Sequence, residues 1–351
     1  MMHRSYNFSA GPAGLPTPVL EQAQAELLNW KGLGTSVMEI SHRDKRVVAT
    51  FESAEQRVRS LLAVPDDYAV LFLQGGATAM FDLIPVNLGA KSIHFLNTGA
   101  WSEKAIKAAK SYAQVEVTGS APYTDVPNLA QISSVDYLHY CHNETIHGVR
   151  VSDIGQHDVP IVCDASSSIF SESIDWARHD LVYAGAQKNL GPSGVTLVIA
   201  RRALLQSVTG LAGVFDFAKQ DAAGSMVNTP PVFGVYLIDL VLEWIEQSGG
   251  VEAMNQRAQA RSERLYRAID QSTFYSNPVA PAARSRMNVP FLLADESLNE
   301  RFVSEAEARG LMFLKGHRSV GGMRASLYNA LPSDAVNALV DFMQEFEAQH
   351  A

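Results

Sequence analysis

The sequence predicts an α/β protein in which a large domain with a mostly parallel sheet is joined to a smaller α+β domain. Two observations predict it. Short, wholly apolar runs alternate with amphipathic stretches up to about residue 250, and long polar helices with isolated strands follow. Runs that are apolar throughout are typical of strands buried on both faces, and their alternation with helices is typical of parallel sheets.

The large domain begins with two helices. "TPVLEQAQAELLNW" offers Thr17 as an N-cap and Pro18 as the first helical residue, and "KRVVATFESAEQRVRSLLAV" is amphipathic. The strand "YAVLFLQ" then leads into "GGATAMFDLI", the glycine-rich start of a helix. Further strands are predicted at "SIHFLN", "VDYLHYCH", "VPIVCDAS", "DLVYAGA" and "TLVIA".

The small domain is predicted from the segments after "QSGG", a glycine-containing boundary at residues 247–250. They are the helix "VEAMNQRAQARSERLYRAID", the strand "RMNVPFLL", a helix near "LNERFVSEAEARG", the strand "GGMRASLYN" and the helix "PSDAVNALVDFMQEFEAQH". We therefore expect a large domain of residues 16–250 and a small domain of residues 1–15 and 251–351.

The composition is that of a globular protein, with 47% hydrophobic and 19% charged residues. The formal net charge of −9 argues against a nucleic-acid partner, although a few local arginines suffice for a small anionic substrate. No apolar run reaches the roughly 20 residues of a membrane span, and the N-terminus lacks the apolar run of a signal peptide. We therefore expect a cytoplasmic protein with no membrane partner, in which Cys141 and Cys163 are buried, reduced thiols.

The residues at the carboxyl ends of the strands are the candidates for ligand binding, because α/β sheets bind ligands there. One strand ends in Gly75-Gly76-Ala77-Thr78 before a helix, where backbone N–H groups can bind a phosphate. The alternative is a tight turn without a ligand, and the turn is not a P-loop because the GK[ST] ending is missing.

Two charged residues follow other strands. Asp164 comes after "IVC", and its alternatives are a ligand-binding carboxylate or a turn and helix-capping residue. Lys188 follows "YAGAQ" and has no acid beside it in sequence. A shielded lysine has a lowered pKa and is a nucleophile, whereas a lysine that reaches solvent is ordinary.

Together these features match the needs of one cofactor, pyridoxal 5'-phosphate. A lysine binds its aldehyde, an acid keeps its pyridine nitrogen protonated, and a glycine-rich turn holds its phosphate. The three features also occur in the chain order of one large group of enzymes that use this cofactor.

The sequence closely resembles the phosphoserine aminotransferase family, which belongs to the class V aminotransferases and has the pyridoxal-phosphate-dependent aspartate-aminotransferase-like fold. The resemblance runs nearly from end to end. It is carried by "NFSAGPAGLP" (7–16), "GLGTSVMEISHR" (32–43), "HYCHNETIHG" (139–148), "DASSSI" (164–169), "YAGAQKNLGPSG" (183–194), "NTPPVF" (228–233), "SRMNVPF" (285–291) and "KGHRSVGGMRAS" (315–326).

The resemblance implies a homodimer with two shared active sites and a catalytic lysine, Lys188. Trp101 would stack on the cofactor ring, although from the residue alone a core position is as good an interpretation. The implied cofactor-binding residues are Ala77, Thr78, Trp101, Thr145, Asp164, Gln187 and Lys188, with Asn228 and Thr229 from the partner subunit.

The implied reaction moves the amino group of L-glutamate reversibly to 3-phosphohydroxypyruvate, giving O-phospho-L-serine and 2-oxoglutarate in serine biosynthesis. The phosphohydroxythreonine step of pyridoxine biosynthesis uses a similar acid and stays open as a second activity. Both substrates carry two anionic ends, which the arginine fork fits. The implied substrate-binding residues are Ser9, Arg43, His317, Arg318 and Arg324.

The glycine-rich turn departs from one pattern of the family. Some members have "GGGRGQ" where this chain has "GGATAM", so Thr78 replaces an arginine. We expect the cofactor phosphate to be held all the same, because backbone N–H groups supply most of its contacts. The distal phosphate of the substrate would then depend on His317, Arg318 and Arg43. Arg43 lies beside Asp44 and Lys45, so a solvated surface position is its alternative.

Other interpretations remain. Another class V enzyme is one, such as an alanine–glyoxylate aminotransferase or a cysteine desulfurase, although a desulfurase needs a mobile, reactive cysteine. A zinc site in "HYCHNETIH" has His139, Cys141, His142 and His147, but their spacing fits neither HExxH nor a zinc finger, and we predict no metal. A third interpretation is a non-catalytic protein that has kept the fold. The presence of both Lys188 and Asp164 argues against it.

Overall fold

A computed structural model of the chain describes residues 4–206 and 208–350, which form twelve strands and nine α-helices. The strands are β1 (Tyr6–Asn7), β2 (Tyr68–Gln74), β3 (Ser92–Leu96), β4 (Gln114–Thr118), β5 (Tyr137–Cys141), β6 (Ile161–Asp164), β7 (Leu181–Gly185), β8 (Val195–Arg201), β9 (Tyr275–Ser276), β10 (Asn288–Leu293), β11 (Leu311–Met312) and β12 (Met323–Ser326). The helices are α1 (Thr17–Glu26), α2 (Lys45–Leu62), α3 (Gly76–Asn87), α4 (Ala100–Ala109), α5 (Phe217–Ala222), α6 (Val232–Gln247), α7 (Gly250–Gln271), α8 (Asn299–Ala308) and α9 (Ser333–His350).

The largest sheet has seven strands in the order β2-β8-β7-β6-β5-β3-β4. Strands β3 to β7 pair in parallel, and β8 runs antiparallel to both of its neighbours, β2 and β7. Strand β2 therefore points the same way as β7 and β6. The carboxyl ends of these three strands meet at one edge, which brings the predicted ligand-binding residues together.

Helices cover both faces of this sheet, which explains why its central strands are apolar throughout. Along β2, Val70 and Phe72 enter a core with α1, α2 and α6, whereas Leu71 and Leu73 enter a second core with α3 and α4. Successive side chains of a strand point to opposite faces, so a strand between two helical layers needs an apolar residue at every position.

A separate hydrophobic core is formed by α7, α8, α9 and the antiparallel sheet β12-β10-β9. Phe302 lies at its centre, with ring centroids 4.9 to 5.8 Å from those of Phe291, Phe342 and Phe346. Phe8 joins this core, because β1 pairs in parallel with β11. The exact domain boundaries, residues 16–250 against 1–15 and 251–351, stay a prediction.

At a few elements, the local sequence patterns gave a wrong prediction or no prediction. Thr17 is the first residue of α1 and not its N-cap, a position that Pro16 occupies without a side-chain hydrogen bond. Strand β4 was not predicted because it lies at the sheet edge, where its "QVEVT" is largely exposed and lacks an apolar run. Within the described ranges, none of the helices combines the length and apolarity that crossing a membrane requires.

Candidate active site

A cavity of about 410 Å³ lies at the carboxyl ends of β2, β6 and β7. The N-terminal segment closes one side of it through Gly11 and Pro12. Six of the predicted cofactor-binding residues line this one cavity: Ala77, Thr78, Trp101, Asp164, Gln187 and Lys188. The sheet topology thus brings together residues that lie more than 100 positions apart in the sequence.

Lys188 follows β7 and extends its amine into the cavity. Its Nζ donates a hydrogen bond to Thr145 Oγ1 at 2.6 Å and lies 4.5 Å from the centroid of the Trp101 ring. Burial lowers the pKa of Lys188, and the negative charge of Asp164 partly opposes this effect. A lysine with a lowered pKa is deprotonated more readily near neutral pH, so it can act as a nucleophile or a base.

Asp164 is the last residue of β6, and only 4% of its surface is exposed. One of its carboxylate oxygens accepts a hydrogen bond from the Ser166 backbone N–H at 2.9 Å. The Ser166 hydroxyl in turn accepts from the Gly185 N–H at 3.0 Å, which ties the end of β6 to the end of β7. The carboxylate is therefore held firmly at the cavity wall.

The glycine-rich turn forms the start of α3. Its N-cap, Gly75, has φ +104° and provides no side-chain cap, so the helix N-terminus opens toward the cavity. A Cβ added at Gly185 would lie 2.9 Å from Gln187 Oε1 and 3.3 Å from the Ala77 backbone nitrogen. Glycine at 185 thus leaves room beside a group of N–H donors, which suits a phosphate.

Trp101 is the second residue of α4, and two ammonium groups lie close to its ring. Lys104 Nζ is 4.1 Å from the ring centroid, and Lys188 Nζ is 4.5 Å from it. The Trp101 backbone N–H donates to the buried carboxylate of Glu144 at 3.1 Å. Glu144 was not predicted as a site residue, although it stands in the "NET" motif that pointed to Thr145.

Of the predicted substrate-binding residues, Arg324 lies beside this cavity, whereas His317 and Arg318 line a separate pocket against α8. Arg324, on β12, donates from Nη1 to the Thr145 carbonyl at 3.3 Å, and burial lowers its pKa. Among the described residues, no carboxylate forms a salt bridge with Arg324. Burial and the charges of Arg324 and Arg318 lower the pKa of His317 below its ordinary value, so its imidazole is mostly neutral near neutral pH. The guanidinium groups of Arg324 and Arg318 suit an anionic substrate, and the His317 imidazole can donate a hydrogen bond to it.

The remaining predicted residues lie beside the cavity or outside its lining. Ser9 is near the cavity, since its hydroxyl accepts from the N–H of Gly11, a lining residue, at 3.4 Å. Arg43, Asn228 and Thr229 are exposed and do not line the cavity of their own chain. The sequence-based assignment gave Asn228 and Thr229 to the partner subunit, and a position outside its own cavity suits the same assignment for Arg43.

A buried polar network that sequence reasoning missed connects the predicted domains. Asn143 donates to Ser167 and Asn288, and Asn288 donates to the Tyr328 hydroxyl at 3.2 Å. Tyr328 donates in turn to the Ala10 carbonyl at 2.7 Å. The network fixes β10 and the chain after β12, and hence Arg324, against the cavity wall. Its only sequence signal is that the asparagines stand inside otherwise specific motifs.

The four side chains of the possible zinc site do not converge. His139 contacts the Tyr183 hydroxyl, Cys141 the Asn143 carbonyl, His142 the Ser168 hydroxyl and His147 the Ala100 N–H. Within residues 4–206 and 208–350, no three His, Cys, Asp or Glu side chains are grouped as metal ligands. The geometry therefore gives the zinc interpretation no support.

The sequence of this chain matches the family model described as "Aminotransferase class-V" over residues 5–339. The chain belongs to the class V aminotransferase family. Within this family it is 52% identical to a phosphoserine aminotransferase from Marinomonas sp. (strain MWYL1), an alignment that covers 99% of this chain and 100% of that protein. The family assignment made from the sequence motifs is confirmed.

Solved structures of class V aminotransferases agree with this fold. A phosphoserine aminotransferase from Bacillus circulans subsp. alkalophilus superposes with a TM-score of 0.96 at 43% identity, covering 99% of each chain. A phosphoserine aminotransferase from Trichomonas vaginalis, described as bound to pyridoxal phosphate, has a TM-score of 0.92 at 37% identity and covers 97% of this chain and 100% of its own. The predicted fold class is confirmed.

Proposed function

We propose that this class V aminotransferase is a phosphoserine aminotransferase that uses pyridoxal 5'-phosphate. It transfers the amino group of L-glutamate reversibly to 3-phosphohydroxypyruvate, giving O-phospho-L-serine and 2-oxoglutarate. One observation carries the proposal: a lysine of lowered pKa, a buried aspartate and an uncapped helix N-terminus line the same cavity. The relatives with the same name support the choice of substrates.

The residues of the cavity fit this cofactor. Lys188 supplies the amine for its aldehyde, and Asp164 supplies a fixed carboxylate for its ring nitrogen. The N–H groups of Ala77 and Thr78, with the Gln187 amide, supply donors for its phosphate. Pyridoxal phosphate, when bound, acts as the electron sink for the substrate's Cα electrons.

The chain's own residues then handle protons and charge. Lys188 lines the cavity and would be the base that removes the proton from the substrate Cα, and its protonated amine would then be the acid that gives a proton back. The Thr145 hydroxyl orients the amine by accepting its hydrogen bond at 2.6 Å. Asp164 keeps a proton on the ring nitrogen by its negative charge, which favours the charged form of a neighbouring base.

The predicted substrate-binding residues divide between the two ends of the substrate. Arg324 is half-buried and adjacent to Thr145, so it binds the α-carboxylate next to the reacting carbon. His317 and Arg318, with Arg43 of the partner subunit, bind the distal phosphate or carboxylate. Activity on the phosphohydroxythreonine precursor of pyridoxine stays a prediction.

The active form in this proposal is a homodimer with shared sites, located in the cytoplasm. Asn228 and Thr229 are exposed and lie outside their own cavity, as residues that complete a neighbour's site must. Leu28 is 82% exposed and Met38 is 55% exposed on the segment after α1, an apolar surface that suits a contact between subunits. The two free, buried thiols, Cys141 and Cys163, suit a reducing compartment.

The first test replaces Lys188 by alanine. We expect the purified wild-type protein to be yellow and to bleach with glutamate, and Lys188→Ala to lose both the visible absorption and about 10³-fold or more of the turnover, because covalent attachment and proton transfer need the same amine. Lys104→Ala is the matched control, since Lys104 also contacts the Trp101 ring. An unchanged spectrum and rate in Lys188→Ala would refute the proposal.

A further inference from the structure

We infer that Glu144 is a positioning residue that fixes Trp101, and with it one wall of the cofactor site. The inference rests on the proposed function, because it assigns Trp101 to the cofactor ring. Glu144 is completely buried, yet it is not one of the residues that line the cavity. Its effect on the reaction is therefore exerted through the residues that it holds.

The carboxylate of Glu144 caps the N-terminus of α4 from outside the helix. Oε2 accepts from the Trp101 N–H at 3.1 Å, and Oε1 accepts from the Ser102 N–H and the Ser102 hydroxyl, both at 2.8 Å. These are N–H groups that a helix cannot satisfy by itself, and the helix dipole favours an anion there. The N-cap of α4, Gly99, provides no side-chain cap, so Glu144 has this role instead.

The close approach of Glu144 requires a glycine at position 99. A Cβ added at Gly99 would lie 2.6 Å from Glu144 Cδ and 2.8 Å from Oε2. Any larger residue would push the carboxylate away from the helix. The position of Trp101 thus depends on two residues that are 45 positions apart in sequence.

The backbone of Glu144 is fixed at both ends, which makes the side chain a rigid support. Its N–H donates to the Val149 carbonyl and its carbonyl accepts from the Gly148 N–H, each at 2.8 Å. The next residue, Thr145, accepts the hydrogen bond from Lys188. One dipeptide therefore sets both the ring that stacks on the cofactor and the hydroxyl that orients the catalytic amine.

The contacts require a carboxylate and not simply a polar side chain. Burial raises the pKa of Glu144, and the donors from Ser102 and Trp101 oppose that rise, so the site carries an electrostatic cost. Glutamine keeps one acceptor oxygen for Ser102, but its NH₂ group would face the Trp101 N–H, donor against donor. Replacing Glu144 by glutamine should therefore break the hydrogen bond to the Trp101 N–H and keep an acceptor for Ser102.

The experiment compares Glu144→Gln with Glu103→Gln, an exposed glutamate of the same helix whose carboxylate accepts from Tyr123. Binding of pyridoxal phosphate to the cofactor-free proteins is measured by absorbance titration, and the visible circular dichroism of the bound cofactor reports the geometry around it. We expect Glu144→Gln to bind about 10-fold more weakly, the scale of one lost hydrogen bond to a charged group, and to change the dichroism. Glu103→Gln should match the wild type in both.

A double-mutant cycle with Trp101→Leu separates positioning from general stability. At residue 101 Glu144 bonds only to the backbone N–H, and its other partners belong to Ser102, so Trp101→Leu leaves these hydrogen bonds in place. If Glu144 acts through the indole ring, Glu144→Gln weakens cofactor binding little further once the ring is absent. The inference would be overturned if Glu144→Gln had the cofactor affinity and dichroism of the wild type. It would also be overturned if Glu144→Gln lowered cofactor affinity equally in the presence and absence of the Trp101 ring. Failure of the wild-type chain to bind pyridoxal phosphate would instead overturn the proposed function, and this inference with it.

Discussion

At the scale of single residues, the site is defined by charges that lack their usual partners. Arg324 is half-buried, and among the described residues it forms no salt bridge with a carboxylate. Burial of an unpaired cation is costly, and burial lowers the pKa of Arg324 accordingly. An anionic substrate offsets this cost when it binds, which links the arrangement to recognition.

The division of the two substrate ends predicts different effects for two arginines. Arg324→Ala should raise the KM of both glutamate and the phosphorylated substrate, by about 10-fold or more, because both carry an α-carboxylate. Arg318→Ala should raise the KM of the phosphorylated substrate more than that of glutamate, since a phosphate carries more charge. Steady-state kinetics with each substrate gives the comparison.

The control for these variants is Arg301→Ala, which removes an arginine of α8 that pairs with Glu305 on the surface. It should leave both KM values unchanged. Equal losses for the two substrates in Arg318→Ala would contradict the division of labour between the cations.

At the scale of elements, the N-termini of the helices contribute more to the cavity than the lengths of the helices do. The N-terminus of α3 faces the cavity because Gly75 adopts φ +104° and leaves the first N–H groups uncapped. The N-cap of α7 has the same features as that of α3, because Gly249 has φ +98° and provides no side-chain cap. Gly249 does not line the cavity, so the chain contains its own control for the glycine-rich turn.

Alanine at the two glycines should therefore separate stability from cofactor binding. In both cases the new Cβ meets an alanine Cβ one turn later, at 2.7 Å for Gly75 and 2.9 Å for Gly249. We expect each variant to lose about 1 kcal/mol or more of unfolding free energy, because L-residues are strained at such φ values. Only Gly75→Ala should also bind pyridoxal phosphate more weakly. Denaturant unfolding and cofactor titration measure the two effects, and equal cofactor affinity in both variants would argue against a phosphate site at α3.

Element prediction from the sequence succeeded where burial dictates every residue. Strands β2, β5 and β7 were predicted because both faces are covered and each position must be apolar. Strand β4 was missed because an edge strand has no such requirement. Thr17 was assigned as an N-cap because it precedes Pro18, but the chain enters the helix one residue earlier.

At the scale of the whole molecule, the cavity is incomplete without neighbouring segments. The N-terminal segment contributes Gly11 and Pro12, and Ala13 donates to the Gln187 carbonyl at 2.8 Å. The network through Asn288 and Tyr328 then connects this segment to the part of the chain that carries Arg324. We expect the partner subunit to complete the remaining side.

Subunit mixing tests the shared sites. Lys188→Ala homodimers and Asn228→Ala/Thr229→Ala homodimers should each be nearly inactive. After the two are unfolded together and refolded, a mixed dimer has one site with both sets of residues intact. An equal mixture should recover about one quarter of wild-type activity, since half of the dimers are mixed and each has one intact site of two. No recovery, with dimers confirmed by light scattering, would show that each site belongs to one chain.

The sequence by itself determined the fold class and the family, and it named six of the residues that line the cavity. Strand ends in an α/β sheet converge, so Asp164, Lys188 and the glycine-rich turn could be placed together from their positions alone. The predicted substrate-binding residues came from motif resemblance and not from local pattern, because a lone arginine looks the same on any surface.

Only the tertiary structure decided which groups hold these residues in place. Glu144 caps a helix by accepting from Ser102, 42 positions earlier in sequence, and Asn143 bonds to Asn288, 145 positions later. Hydrogen bonds of this kind leave no periodicity in the sequence, because they depend on how the packed sheets and helices bring distant backbone segments together. The sequence predicts which residues stand at the strand ends and what chemistry they can perform. The packed fold decides which partners hold those residues in position.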